Sequence, residues 1–246
     1  MKKTLILIPS RMAATRLPGK PLLKINNLSI ISHVFKRAEE ANIGEAVVAT
    51  DDQEILKDVI KNGGNAILTN KSHKTGTDRI FEAYEKLNIK NIDYILNLQG
   101  DEPDINKDDI INLNNFMINQ NAELGTLAAK IQDNKMLNNK NVVKVITDNK
   151  LVEGNFPAAL NFTRDDLSKD SQNIYHHIGI YSYKLSILKK FVSLDQTNNE
   201  KKNKLEQLRA LDNKLKINVA LAKSSPIGVD TEEDYLAIKK IMEYKI

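Results

Sequence analysis

The chain is organised around one stretch, Leu7-Ile8-Pro9-Ser10-Arg11-Met12-Ala13-Ala14-Thr15-Arg16-Leu17-Pro18-Gly19-Lys20-Pro21. Its first residues complete the apolar, β-branched run over 4–8, which ends at a proline and predicts a buried strand. Proline fixes φ and glycine permits positive φ, so the loop after this strand is predicted to keep one shape.

That loop concentrates positive charge, because it carries Arg11, Arg16 and Lys20. Arg supplies a planar fork of donors and Lys a point charge, and three such groups beyond a strand suit a polyphosphate. It is not a P-loop, because Lys20 is followed by Pro21 and no glycine lies five positions before Gly19. The alternative is a solvated basic loop.

Composition narrows the class of protein. The 246 residues suffice for one large α/β domain or a domain with a subdomain. The 36 Lys and Arg are interspersed with 32 Asp and Glu, which favours a small anionic ligand over nucleic acid. The absence of Cys excludes disulfides and thiolate chemistry. No apolar run approaches the ~20 residues of a membrane span or forms a signal peptide, so we expect a cytoplasmic protein without a membrane partner.

In the first half of the chain, segments with apolar residues at helical spacing alternate with short continuous apolar runs. Apolar residues recur at helical spacing over 31–38 and 55–60, and apolar runs over 46–50 and 65–69 follow those segments. Strand–helix alternation with short connections predicts an α/β fold, Rossmann-like, with a mainly parallel sheet covered on both faces.

Two further segments place polar groups at element ends. Thr75-Gly76-Thr77-Asp78-Arg79 predicts a helix start with Thr77 as N-cap, where free N–H groups can hold ligand oxygens; a cap alone is the alternative. The strand-like run 93–98 leads into Gln99-Gly100-Asp101-Glu102-Pro103. A carboxylate aimed from a strand tip suits Mg²⁺, whereas the alternative is an Asx-type turn.

The second half changes character. Strands are predicted over 124–131, 142–147 and 177–183, with a possible hairpin turn at Asp148-Asn149-Lys150. We interpret approximately 124–220 as an inserted antiparallel extension that carries sugar contacts or a subunit interface. A helix is predicted over 205–211 and a strand over 216–222, and Thr231 with Asp234 predicts the cap of a terminal helix.

Seven segments, in order along nearly the whole chain, resemble the 3-deoxy-manno-octulosonate cytidylyltransferases, also called CMP-Kdo synthetases. The first motif is shared with sugar-nucleotide synthetases generally, whereas the full ordered set is specific. The segments are Ile8-Pro9-Ser10-Arg11 through Arg16-Leu17-Pro18-Gly19-Lys20-Pro21-Leu22, Ala49-Thr50-Asp51-Asp52, Gly76-Thr77-Asp78-Arg79, Leu98-Gln99-Gly100-Asp101-Glu102-Pro103, His177-Ile178-Gly179-Ile180-Tyr181, Glu206-Gln207-Leu208-Arg209 and Gly228-Val229-Asp230-Thr231.

The resemblance implies a single nucleotide-diphospho-sugar transferase-like domain over 1–246, typically dimeric. It implies that CTP and Kdo give CMP-Kdo and pyrophosphate with Mg²⁺, which activates Kdo for lipopolysaccharide synthesis. The residues implied as catalytic are Arg11, Lys20 and Asp101, and those implied as metal ligands are Asp101 and Asp230. The implied nucleotide contacts are Pro9, Ser10, Arg11, Arg16, Lys20, Thr50, Thr75, Gly76, Thr77 and Gln99. The implied sugar contacts are Arg79, Arg164, His177, Tyr181, Glu206 and Gln207.

The sequence departs from the family pattern at several positions. Ala14 and Thr75 stand where Ser is usual, and Asn203 where an acid is common. Asn161-Phe162-Thr163-Arg164 replaces the usual aromatic-Ser-Arg, and the Pro-rich continuation after that Arg is missing. Neither the metal carboxylates nor the phosphate-binding cations are affected.

Two other functions stay open at this stage. The first is a cytidylyltransferase for another sugar acid, such as amino-Kdo or a sialic acid, although Glu102 favours Kdo because the amino-sugar relatives tend to carry Gln there. The second is a non-catalytic nucleotide-binding protein, which would need a degenerate metal site. Asp101 and Asp230 are both intact.

Overall fold

The computed structural model describes residues 2–13, 16–167 and 172–244. The chain divides into two compact units, which are described separately. The first unit comprises Met1–Ile111 with Pro226–Ile246, and the second comprises Asn112–Ser225. The extension expected over approximately 124–220 falls within the second unit.

The elements are numbered in chain order. The strands are β1 Thr4–Ser10, β2 Lys24–Ile25, β3 Leu28–Ser29, β4 Gly44–Thr50, β5 Ala66–Leu68, β6 Tyr94–Asn97, β7 Leu124–Ala129, β8 Lys144–Thr147, β9 Ala159–Thr163, β10 Ile174–Lys184 and β11 Ile217–Leu221. The helices are α1 Ile30–Ala41, α2 Gln53–Lys61, α3 Gly76–Leu87, α4 Lys107–Asn119, α5 Lys135–Asn138, α6 Leu185–Val192, α7 Asn198–Asn203, α8 Leu208–Asp212 and α9 Glu232–Glu243. No described helix is long and apolar enough to cross a membrane.

The first unit is built on a parallel sheet. Its strands lie in the order β6-β1-β4-β5, and every neighbouring pair is parallel. The side chains of β1 from Leu5 to Ile8 are fully buried, as expected for a strand covered on both faces. The apolar stripe of α1 is also buried, including Val34 and Ala38. The α/β prediction is therefore confirmed.

The second unit is mostly antiparallel. Strand β7 pairs with β11 in parallel and with β10 antiparallel, and β10–β8 and β8–β9 are antiparallel pairs. The register of β10 against β7 shifts between Ile178 and Tyr181. This irregularity places His177 opposite Ala128 and Tyr181 opposite Thr126. The prediction of an antiparallel region in the second half is confirmed.

Four local predictions need correction. The N-cap of α3 is Thr75, not Thr77, because the Thr75 hydroxyl accepts the Asp78 N–H. Helix α8 begins at Leu208, so Glu206 precedes it rather than lying on it. No tight turn follows β8, because an eleven-residue connection leads to β9. That strand was not predicted, because exposed Leu160 breaks the alternation of apolar and polar residues.

The start of the terminal helix agrees with its sequence signature. Thr231 accepts the N–H of Asp234, and the Asp234 carboxylate accepts the N–H of Thr231. The same carboxylate accepts the N–H of Asp230, at 3.1 Å. The predicted capping box is confirmed, and it fixes the backbone that carries Asp230.

Candidate functional site

An open cleft of about 320 Å³ lies in the first unit, where β1 and β6 end. Most of the residues that the sequence singled out in this unit line it, in agreement with the rule that ligands bind beyond the carboxyl ends of parallel strands. The predicted residues on its wall are Pro9, Ser10, Arg11, Arg16, Lys20, Thr75, Gly76, Arg79, Gln99, Asp101 and Asp230.

Lys20 is the centre of the charged wall. Its Nζ lies 2.8 Å from Asp101 Oδ2 and 3.3 Å from Asp230 Oδ1. Arg16 adds a second cation, 2.8 Å from Asp230 Oδ2. Burial alone would lower the pKa of Lys20, but the attraction and hydrogen bonds of Asp101 and then Asp230 raise it above its ordinary value. Lys20 is therefore a protonated cation held between two carboxylates.

The backbone fixes Asp101 at this point. A Cβ on the preceding Gly100 would lie 2.9 Å from the Pro9 carbonyl oxygen, so only glycine permits this approach of the loop to β1. The Asp101 carbonyl accepts the N–H of Val229, at 2.9 Å. Because Asp230 follows Val229, this hydrogen bond also ties the two acidic residues to each other.

The donor set fits a hard cation. Within the described ranges no group of three or more Asp, Glu, His or Cys residues is arranged to hold a metal ion. Asp101 and Asp230 nevertheless converge on one point, which Lys20 Nζ marks. Mg²⁺ commonly takes one or two protein carboxylates and completes its octahedron with phosphate oxygens and water. The two carboxylates therefore match the requirements of Mg²⁺ bound together with a phosphate ligand.

The start of α3 forms another part of the wall. The Thr75 hydroxyl accepts from the Asp78 N–H and donates to Asp78 Oδ2, at 2.9 Å. A Cβ on Gly76 would lie 3.2 Å from Pro9 Cγ, so the helix begins against the end of β1. The predicted contact residues Thr50 and Thr77 are buried and do not line the cleft.

Arg79 lies on the wall but is already engaged. Its guanidinium donates to Asp51 Oδ2 at 2.9 Å and to Thr69 Oγ1 at 2.6 Å. The residue is only 3% exposed. Arg79 therefore links α3 to the loop after β4. The sugar contact implied for it stays a prediction.

Three predicted sugar contacts cluster in the second unit. The rings of His177 and Tyr181 lie 5.5 Å apart between centroids, which confirms that they share one side of β10. His177 Nε2 is 3.0 Å from Thr126 Oγ1, and the edge of its ring meets Phe162 at 5.0 Å. Burial, with the nearby His176 and Arg164, lowers the pKa of His177 to about 3. His177 is therefore a neutral imidazole in this structure.

Tyr181 brings Glu206 into the same cluster. Burial first, then Tyr183 and the Glu206 carboxylate, raises the pKa of the Tyr181 phenol well above its ordinary value. Glu206 also lies 3.6 Å from Arg209, whereas Gln207 is a buried residue at the N-cap of α8. This group supplies neutral donors and acceptors around one carboxylate.

Arg164 makes backbone contacts in the same unit. It donates through one guanidinium nitrogen to the carbonyls of Lys140 and Asn141, at 3.3 and 2.9 Å. Its own carbonyl accepts from the fully buried Lys144, at 3.1 Å. Two of the departures from the family pattern can be placed as follows. Ala14 lies outside the described residues. Asn203 is the last residue of α7, and its side chain donates to the Asn199 carbonyl in the same helix.

Sequence reasoning did not identify two features of the first unit. His73 lines the cleft, although it stands in a polar run, Lys71-Ser72-His73-Lys74, that resembles a solvated loop. Glu102 is buried, and burial followed by the charge of Asp101 raises the pKa of its carboxyl to about 8. Its place in the sequence, between Asp101 and a proline, does not reveal that burial.

Comparison with known proteins agrees with this geometry. A cytidylyltransferase family model matches residues 5–217. The chain is 42% identical over 241 residues to 3-deoxy-manno-octulosonate cytidylyltransferase of Nitrobacter hamburgensis, which covers 98% of this chain and 93% of the relative. It is 43% identical over 255 residues to the protein of that name from Thermodesulfovibrio yellowstonii, with 97% and 98% covered.

Solved structures extend the comparison. CMP:2-keto-3-deoxy-manno-octonic acid synthetase complexed with CTP superimposes with a TM-score of 0.90, at 32% identity and over 100% of both chains. Apo-UDP-glucose pyrophosphorylase, at 13% identity, shares the fold with a TM-score of 0.72 over 100% of this chain and 99% of its own. The fold, the charged cleft and these relatives lead to one conclusion: this chain is a nucleotidyltransferase that belongs to the 3-deoxy-manno-octulosonate cytidylyltransferase family.

Proposed function

We propose that the protein transfers CMP from CTP to the anomeric hydroxyl of Kdo, which gives CMP-Kdo and pyrophosphate and activates Kdo for lipopolysaccharide synthesis. The observation that carries the proposal is the cluster of Arg16, Lys20, Asp101 and Asp230 in the cleft of a chain from this family. A non-catalytic nucleotide-binding protein has no need for two carboxylates and two cations in mutual contact beside a helix start.

Asp101 and Asp230 would hold Mg²⁺, because their carboxylates converge and both border the cleft. When bound, the ion supplies positive charge that polarises phosphate oxygens and lowers the pKa of a coordinated hydroxyl. The backbone hydrogen bond from Val229 to Asp101 supports this role, because it keeps the two ligand-bearing segments together.

The basic side chains of the cleft bind and orient the triphosphate of CTP. Attack on the α-phosphorus increases negative charge on the non-bridging and leaving oxygens, and preorganised cations stabilise that charge. Lys20 suits the leaving pyrophosphate because it is protonated and its position is fixed by two hydrogen bonds. Arg11 and Arg16, which are more exposed, suit the outer phosphates.

The sugar acid is chosen mainly by the second unit. His177, Tyr181 and Glu206 form one cluster, in which neutral donors and a carboxylate can pair the hydroxyls of a polyol chain. A site built to pair a hydroxyl rejects analogues that lack it, because its own polar groups then lose their partners. Gln207 and Arg164 complete the sugar contacts proposed for the second unit. Arg79 is proposed separately as a sugar contact of the first unit.

Pyrophosphate release tests this function directly. The purified protein is incubated with Mg²⁺, one nucleotide from CTP, UTP, ATP and GTP, and one acid from Kdo, amino-Kdo and N-acetylneuraminate. We expect release with CTP and Kdo at a rate well above every other pair. Preference for another acid would revise the substrate, and no release with any pair would overturn the assignment.

We also propose that the protein is a homodimer, as the family resemblance implies. Sedimentation velocity at micromolar concentration measures this state without any assumption about the substrate. A mass of twice 27.7 kDa is expected. A monomer across the accessible concentration range would remove the dimer and leave the proposed reaction intact.

A further inference from the structure

His73 is a histidine on the cleft wall to which neither the sequence nor the proposed reaction gives a role. It stands in the connection from β5 to α3, two residues before the N-cap of that helix. Its side chain is about one-fifth exposed, at 21%. It is therefore accessible to a ligand in the cleft, although most of its surface is buried against other residues of the protein.

Glu82 on α3 fixes the orientation of this imidazole. Nε2 of His73 forms a hydrogen bond with Glu82 Oε2. The same carboxylate accepts the Asn70 N–H at 2.8 Å and pairs with Lys86 Nζ at 2.6 Å. Although burial opposes it, these partners lower the pKa of Glu82 to about 2, in the order Lys86, Asn70, His73.

This arrangement determines which ring nitrogen a ligand can meet. A carboxylate can only accept, so Nε2 must carry a hydrogen. In the neutral imidazole, Nδ1 is then a hydrogen-bond acceptor. Among the residues that the structure describes, Nδ1 of His73 has no hydrogen-bond partner.

We infer that His73 recognises the nucleoside half of CTP by accepting a hydrogen bond at Nδ1, and that Glu82 is its positioning residue. Phosphate oxygens are acceptors and already have Arg11, Arg16 and Lys20 on the same wall. The nucleoside offers the donors that match Nδ1, namely the ribose hydroxyls and the cytosine 4-amino group. This inference rests on the proposed function, because it takes CTP as the nucleotide.

A pair of amide substitutions separates recognition from structure. His73→Gln can place its amide near Nε2 and keep the contact with Glu82, but it has no acceptor at Nδ1. His73→Asn places its amide near Nδ1 and loses the contact with Glu82. We expect His73→Gln and His73→Ala to weaken CTP binding about 5- to 10-fold, the size of one hydrogen bond, and His73→Asn to weaken it less. A purely structural His73 gives the reverse order.

A series of nucleotide analogues identifies which hydrogen-bond donor of CTP His73 recognises. Dissociation constants are measured by calorimetry for CTP, UTP, 2′-deoxy-CTP, 3′-deoxy-CTP and inorganic tripolyphosphate, on wild type and on His73→Gln. The analogue that lacks the recognised donor should bind the wild type more weakly than CTP does, and should show no such deficit on His73→Gln. An equal loss for tripolyphosphate would overturn the inference, because the contact would then be to phosphate.

Lys86→Gln is the matched control. It removes the other side chain that contacts Glu82, on an exposed part of α3. CTP affinity should stay within twofold of wild type, since His73 keeps its partner. Wild-type turnover of CTP and Kdo is measured in parallel. If the wild type turns over but His73→Gln binds CTP normally, only the role of His73 fails, whereas an inactive wild type means that the proposed function fails.

Discussion

The polar residues of the two units differ in how their charge is handled. In the first unit, Lys20 and Asp230 are charged and paired, and the Asp230 side chain is half exposed. In the second unit, His177 is buried and uncharged, and the Tyr181 phenol is held neutral. The first arrangement suits a ligand whose charge changes during reaction. The second suits recognition of neutral hydroxyl groups.

Solvent exposure determines how much free energy it costs to break the polar contacts in each unit. Exposed ion pairs contribute only about 0–1 kcal/mol, so Arg16 can leave Asp230 for a phosphate at little cost. A buried polar group that loses its partner costs about 1–3 kcal/mol. In the proposed function, the cluster around His177 would therefore discriminate between sugar acids, because any ligand that leaves its polar groups unpaired is penalised.

The largest effect is expected at the convergence of charges in the first unit. Asp101→Asn should reduce kcat by about 10²–10³-fold, because it removes one carboxylate of the proposed metal pair and the main partner of Lys20. Turnover is measured as pyrophosphate release at saturating CTP and Kdo, and circular dichroism verifies the fold.

Asp93→Asn is the control for that substitution. Asp93 immediately precedes β6, whereas Asp101 follows it, and the Asp93 carboxylate accepts the Lys3 N–H. Its activity should match wild type. If Asp101→Asn retains near-normal activity with Mg²⁺, the charged cleft is not where the chemistry occurs, and the contrast between the units loses its basis.

Lys20→Met is the next largest change. It should lower kcat about 100-fold and alter the KM for Kdo little, because the lysine charge matters most as pyrophosphate leaves. Lys24→Met, at an exposed position on β2, is the matched control. An effect confined to the KM for Kdo would assign Lys20 to the sugar rather than to the phosphates.

The difference between the units also explains what the sequence could predict. In the first unit, strands with uninterrupted apolar runs predicted the sheet, and the residues that follow β1 and β6 predicted most of the cleft. Loop composition was sufficient there, because the polar residues of the cleft lie in the loops that follow β1 and β6 or at the starts of α3 and α9. The cap at Thr75 was misplaced by two residues, because three consecutive positions could each begin α3.

The second unit was less predictable, because its polar cluster depends on tertiary pairing. Residue spacing predicted that His177 and Tyr181 share a side, but not the register shift between them. The charge of Glu206, in a loop, acts on Tyr181, in a strand, and no local sequence pattern encodes this proximity. The same applies to His73, whose Glu82 partner lies nine residues away.

Glu206→Ala tests the sugar-binding role proposed for the second unit, and its expected effect is smaller than those in the first unit. We expect the KM for Kdo to rise about tenfold while the dissociation constant for CTP stays unchanged, because one acceptor for a sugar hydroxyl is lost. Glu153→Ala, at an exposed position in the connection from β8 to β9, is the control. A change in CTP affinity instead of Kdo kinetics would contradict the assignment of sugar selection to this unit.

The smallest effect concerns the neutral state of His177. An unfolded histidine has a pKa near 6.5, and burial lowers that of His177 to about 3, so the proton binds the unfolded chain more tightly. The stabilising effect of the neutral imidazole is complete above about pH 6.5 and declines as the pH falls from there towards 3. The free energy of unfolding then changes with pH by at most about 1.4 kcal/mol per pH unit from this one group.

Removing the imidazole should therefore flatten the acid limb of the stability curve. We expect the free energy of unfolding of His177→Asn, from urea titrations at pH 8 to 4.5, to fall less steeply below pH 6.5 than that of wild type, by up to about 1.4 kcal/mol per unit. Above pH 7 the two curves should run parallel. Identical slopes would show that His177 is not buried in its neutral form. A flattened slope with unchanged Kdo kinetics would make it a structural histidine, and would leave sugar selection to Tyr181 and Glu206.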